Sequence, residues 1–164
     1  MIRYAPSAIS GARLVAAPLL AYVILLGRPT AALLVLVSLA MSDVLDGLAA
    51  RALSAETTSG AYLDASADFA VILAGFGSLA VMGAYPWWLP VLVTVMFGQF
   101  LVTSGRTGPP RYDPVGKYYG VVLYVALGVS LAVPDLALLQ AVAVLIVGLS
   151  AVSLTSRVRA LLTA

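Results

Sequence analysis

Residues 60–83 read GAYLDASADFAVILAGFGSLAVMG, and Asp64 and Asp68 are the only charges in that stretch. About 20 apolar residues span the ~30 Å hydrocarbon core of a bilayer, so the segment reads as a membrane-crossing helix that carries two carboxylates. The rest of the chain agrees. Of its 164 residues, 62% are hydrophobic and 10% charged, whereas a water-soluble domain needs about a quarter charged residues to cover its surface. The composition therefore indicates an integral membrane protein and excludes disorder, a collagen repeat and, with zero Cys, a disulfide scaffold. A net charge of +2 with no contiguous basic run excludes nucleic acid as a partner. Zero His and zero Cys remove zinc, haem and thiol chemistry, which leaves oxygen ligands and hard cations.

Hydropathy and breaker residues divide the chain into six expected spans, 9–27, 31–53, 60–83, 87–105, 115–133 and 136–156. Gly27-Arg28-Pro29, Gly83 to Pro86, Gly105 to Pro110 and Pro134 punctuate them. The expected fold is all-α: a polytopic membrane protein with six transmembrane helices in one bundle and a single domain over 1–164. Pro18 is expected to kink the first span. No small-residue cleavage site follows that span, which reads as a retained helix and not as a signal peptide. With the N-terminus inside, Arg3, Arg13, Arg51, Arg106, Arg111, Lys117, Arg157 and Arg159 fall at the cytoplasmic face and only Arg28 outside. Both termini are then cytoplasmic, in the cell membrane, with Trp87 and Trp88 at the opposite interface.

Four of the seven acidic residues, Asp43, Asp46, Asp64 and Asp68, lie in or beside spans two and three. A carboxylate in a membrane helix costs roughly 2.5–3.5 kcal/mol on insertion scales, so four of them require a compensating partner. Asp43 and Asp46 are spaced i, i+3 and Asp64 and Asp68 i, i+4, so each pair projects from one helix face. A short turn, Ser54 to Ser59, joins the two helices, which are expected to run antiparallel as neighbours with all four carboxylates in one crevice. Arg51 alone cannot neutralise four charges, whereas one or two divalent cations can, and oxygen ligation suits Mg²⁺, Mn²⁺ or Ca²⁺. The plainer reading is that the carboxylates snorkel to water or cap helices, Asp64 in particular being expected in the first turn of its helix. Gly47 and Gly60 allow either close approach of a ligand or close helix packing.

Taken together, Asp43-x2-Asp46-Gly47-x2-Ala50-Arg51-x8-Gly60-x3-Asp64-x3-Asp68 matches D-x2-D-G-x2-A-R-x8-G-x3-D-x3-D at every specified position. That signature, over 43–68, resembles the CDP-alcohol phosphotransferase family. The segment Pro6 to Arg13 is similar to the Arg-bearing stretch before the first helix of many members. The resemblance implies a Mg²⁺- or Mn²⁺-dependent transferase in phospholipid biosynthesis, with two ions. It would move a phosphatidyl group from a CDP-alcohol, usually CDP-diacylglycerol, to the hydroxyl of a second alcohol and release CMP. It further implies that Asp43, Asp46, Asp64 and Asp68 bind the metals, that Asp68 is also the general base, and that Gly47, Ala50, Arg51 and Gly60 line the nucleotide pocket. Elementary chemistry agrees: transfer of a substituted phosphate needs the diphosphate neutralised and the attacking oxygen aligned. A carboxylate one turn beyond a ligand can take the hydroxyl proton.

A second cluster, Arg106, Arg111 and Lys117, reads either as ordinary cytoplasmic loop charge or as a site for an acceptor phosphate. Arg106 and Gly116-Lys117 resemble positions in phosphatidylglycerolphosphate and phosphatidylinositol-phosphate synthases. This implies a phosphorylated polyol such as glycerol 3-phosphate or an inositol phosphate. Tyr118-Tyr119-Gly120 follows Lys117 where glycerophosphate users continue with Lys and Thr, so serine or another polar alcohol stays open as acceptor. Gly116 and Gly120 read as a helix-packing face, and the family likeness suggests a homodimer. Small residues from Ala70 to Ser78 read as close packing, Gln99 as bonding a neighbouring helix with contact to substrate as the alternative, and the last span as scaffold and anchor. The rival function is a transporter or cation carrier built on intramembrane carboxylates, and a third reading is a catalytically silent scaffold. Residues 85–164 hold no second aspartate pair mirroring 43–68, which favours the enzyme.

Overall fold

The protein is described by a computed structural model that covers the backbone of residues 5–52, 58–104 and 116–162 and the side chains of 13–42, 44, 60–103 and 118–159. Six helices follow one another: α1 (Ala5–Leu25), α2 (Pro29–Ala52), α3 (Thr58–Val81), α4 (Trp88–Ser104), α5 (Gly116–Ala132) and α6 (Leu136–Leu162). There is no strand among the described residues. The helices occupy the six segments marked by hydropathy. The largest difference is at the C-terminal end, where α6 runs beyond the expected 156 and takes Arg157 and Arg159 into the helix. Two stretches, Gly60–Val81 and Leu136–Arg159, are long and apolar enough to cross a membrane; the apolar parts of the other helices are shorter among the described residues.

Breaker residues act where their backbone chemistry requires. Gly27 and Gly83 adopt φ of 67° and 80°, the left-handed conformation that favours glycine. At α1 the Gly27 N–H bonds to the Ile24 carbonyl at 2.8 Å and the Arg28 N–H to that of Val23 at 3.3 Å. Gly83 and Ala84 repeat the pattern on Ala80 and Leu79, so both helices close with paired bonds on their orphan carbonyls. Pro29 opens α2, where a missing N–H costs nothing. Asp135 caps α6, its carboxylate accepting the Leu138 N–H at 3.0 Å.

The packing order differs from the order along the chain. Among the described residues α2 and α3 each pack on α1 and on α5, and not on each other; α3 also meets α4, and α6 lies on α5 and α4. The turn that joins α2 to α3 and the side chains of α2 beyond Val44 lie outside the described residues, and with them the expected packing of these two helices as neighbours. The core is made of Leu20, Leu36, Phe76, Leu127 and Ile146, all almost wholly buried. Tyr85, between α3 and α4, sets its ring edge-on to Phe76 and its hydroxyl 2.6 Å from Ser130 Oγ. Burial pushes its phenol above the ordinary range, the Ser130 bond opposing. Val15, Leu34, Val95 and Val144 face outward, a surface that lipid solvates and water does not.

Small residues bring helices together where lipid offers no hydrophobic drive. Gly75 of α3 lies so close to α5 that a Cβ there would run into the side chain of Leu127, which is fully buried. Gly77, by contrast, faces open space. Gly75→Val should lower the unfolding free energy in detergent by about 1–3 kcal/mol, the range for overpacking a tight core. Gly77→Ala should be neutral or slightly stabilising; equal effects at both sites would mean that the α3–α5 approach is not tight.

Candidate active site

The site starts from one buried cation. Arg13, on α1, is 1% exposed, and its guanidinium bridges two carboxylates of α3: Nη2 donates to Asp64 Oδ1 at 2.9 Å and Nη1 to Asp68 Oδ1 at 2.6 Å. Asp64 and Asp68 stand one turn apart on one face, a separation that the planar guanidinium fork spans with one nitrogen to each. Their side chains are 50% and 31% exposed, so the pair is buried on the arginine side and open on the other. From α5 the Tyr124 hydroxyl donates to Asp68 Oδ1 at 3.2 Å.

Two expectations change here. Asp64 is the seventh residue of α3, past the first turn, so the helix dipole does not account for its charge. Arg51 is also not the only cation for the carboxylates, because Arg13 compensates two of them directly. From sequence Arg13 counts toward orientation and the family likeness, not as a partner of the carboxylates; a cation inside an apolar span is the signal that it needs a buried anion.

Asp68 opens into a cavity of about 570 Å³. Its walls come from Ala40 and Val44 of α2, Phe69 and Ile72 of α3, Phe97, Gln99 and Phe100 of α4, Tyr119, Gly120 and Tyr124 of α5, and Ser153 and Arg157 of α6. Most of that surface is apolar. Phe69 and Phe97 stack across α3 and α4 with centroids 4.1 Å apart. Tyr119 is held to α6 by a 2.7 Å bond to Ser150 Oγ. Gly120, expected on a packing face, lines the cavity, and a Cβ there would meet nothing within 4 Å. Gln99, expected to bond a neighbouring helix, lines it too.

Arg157, read from sequence as part of an anchor, is 8% exposed and faces the cavity. Its guanidinium lies 5.4 Å from the Phe100 ring centroid, and Nη1 donates to the Thr103 hydroxyl. No spacing rule distinguishes it from Arg159, two residues on; only the turn of α6 does so.

Gly60 is the third residue of α3 and is partly buried. Asp43, Asp46, Gly47, Ala50 and Arg51 lie on the described backbone of α2, and Lys117 on that of α5, but their side chains lie outside the described residues. Arg106 and Arg111 lie outside them altogether. Among the described residues no group of three acidic side chains gathers. The two described carboxylates fit a hard divalent cation in kind. Both are oxygen donors, half-open on one side, and a carboxylate can accept an arginine on one oxygen while ligating through the other. Ala40 and Val44 bring α2 to the wall of the cavity that Asp68 enters. Compared with known families, residues 3–153 match the family model described as CDP-alcohol phosphatidyltransferase.

Proposed function

The chain belongs to the CDP-alcohol phosphatidyltransferase family, and from that premise we propose that it transfers a phosphatidyl group from CDP-diacylglycerol to a phosphorylated polyol, such as glycerol 3-phosphate or an inositol phosphate. The family is a membrane-bound family of transferases for substituted phosphate groups, generally dependent on a divalent metal, and acts in phospholipid biosynthesis. Membership decides between transferase and transporter. The observation that carries the finer reading is the juxtaposition of Asp64 and Asp68 under one buried arginine, with Asp68 at a cavity whose walls are otherwise mostly apolar. A substrate that is lipid at one end and nucleotide at the other needs that combination.

In this reading Asp43, Asp46, Asp64 and Asp68 hold two Mg²⁺ or Mn²⁺ ions, which when bound neutralise the diphosphate and act as Lewis acids. Gly47, Ala50, Arg51 and Gly60 line the cytidine diphosphate pocket. Arg106, Arg111 and Lys117 take the acceptor's phosphate. The Asp68 carboxylate removes the proton from the acceptor hydroxyl. That oxygen forms a bond to the phosphorus carrying the diacylglycerol, the bond from this phosphorus to the bridging oxygen breaks, and CMP leaves with that oxygen. The single domain sits in the cytoplasmic membrane as a homodimer of six-span subunits, both termini and the site facing the cytoplasm, as the distribution of Lys and Arg supports.

The test follows CMP release by purified protein in liposomes with CDP-diacylglycerol and Mg²⁺ or Mn²⁺. Glycerol 3-phosphate, inositol 1-phosphate, inositol and serine are supplied in turn. One phosphorylated acceptor should support turnover and EDTA should abolish it. Arg106→Ala should raise the KM of that acceptor more than that of the nucleotide lipid. Turnover with serine or free inositol alone would move the acceptor assignment, and metal-independent turnover would remove the aspartates' role as metal ligands.

A further inference from the structure

Asp68 differs from Asp64 in how it is held. Both lean on Arg13, and at Asp68 the Tyr124 hydroxyl joins it, so that donors from α1 and α5 meet at the same Oδ1, at 2.6 and 3.2 Å. The two helices are fixed independently against α3. α1 places Leu20 in the core, and Tyr124 of α5 is partly buried and packs against that core. Tyr124 also lines the cavity into which Asp68 opens. An aspartate side chain has two rotatable bonds. A single charged donor restrains its distance but leaves rotation about that contact, and a second donor from another direction removes this freedom.

We propose that Tyr124 is a positioning residue. With Arg13 it sets the plane of the Asp68 carboxylate before substrate arrives, so that the group meets the acceptor hydroxyl in a productive orientation. The inference rests on the reading of Asp68 as the base. Pre-set geometry of this kind contributes to the chemical step and not to substrate binding, because neither substrate needs to touch the phenol.

The experiment compares Tyr124→Phe, Tyr85→Phe and Asp68→Asn as full-length proteins in liposomes, measuring kcat and KM for both substrates and the unfolding midpoint in detergent. Tyr124→Phe keeps the ring and its packing, so the bundle should fold with a midpoint close to that of the parent. Its kcat should fall about tenfold, while both KM values stay within about twofold. Tyr85→Phe removes a buried hydroxyl bond remote from the cavity, to Ser130, and should lower the midpoint with kcat unchanged. A Tyr124→Phe protein with full kcat, beside an inactive Asp68→Asn, would overturn the positioning role and leave the base assignment standing. A rise in KM at constant kcat would assign the phenol to substrate binding instead and equally overturn it. An active Asp68→Asn would remove the base assignment and this inference with it.

Discussion

Asp68→Asn should reduce CMP release by at least about a thousandfold while the protein remains folded. General-base catalysis alone contributes typically 10²–10⁴-fold, and the same carboxylate is proposed to ligate a metal, so the two losses fall on one residue. The amide keeps the size of the carboxylate and can still accept from the Arg13 and Tyr124 donors that now meet at Oδ1. It cannot take a proton from an alcohol. Circular dichroism and the unfolding midpoint separate loss of chemistry from loss of fold. Turnover within tenfold of the parent would show that another group accepts the proton.

The second large effect is expected at Arg13. Removing one partner of a fully buried ion pair costs about 3–5 kcal/mol, because the remaining charge keeps its desolvation without compensation. Asp64 and Asp68 are 50% and 31% exposed, so solvent recovers part of that, and Arg13→Met should cost about 2–3 kcal/mol. Turnover should fall with it, since both carboxylates lose the group that orients them. Arg13→Lys should recover only part of either quantity, because it replaces the rigid fork that gives each carboxylate its own nitrogen with one compact charge. The triple variant Arg13→Met, Asp64→Asn, Asp68→Asn should regain most of the stability while remaining inactive. Unfolding in a detergent titration checks both points. An Arg13→Met protein as stable as the parent would show that water in the cavity, and not the arginine, satisfies the pair.

Asp64 and Asp68 are set partly by local sequence and partly by packing. Their spacing on one helix face could be read directly, because the helical repeat is local. Their common partner could not be, because Arg13 is 51 and 55 residues distant in the chain and reaches them only when α1 packs on α3. The same holds for Tyr124, 56 residues from Asp68, and for Arg157, 54 from Thr103. α2 and α3 share the cavity and the neighbours α1 and α5, a grouping that only the packing shows. The small residues of α3 show both outcomes: Gly75 packs tightly on Leu127, and Gly77 does not pack at all.

What this sequence determined by itself is the order of six helices, their breaks at Gly27 and Gly83, and the aspartate ladder of 43–68 with the chemistry its spacing implies. Each depends on hydropathy, backbone freedom or helical repeat over fewer than about 30 residues. What only the tertiary structure decided is which cation faces which carboxylate, which tyrosine reaches Asp68, and which arginine of α6 turns into the cavity. Those contacts depend on the rotation and approach of helices that no local rule relates, and a shift of one residue in register would turn each of these side chains about 100° from its partner.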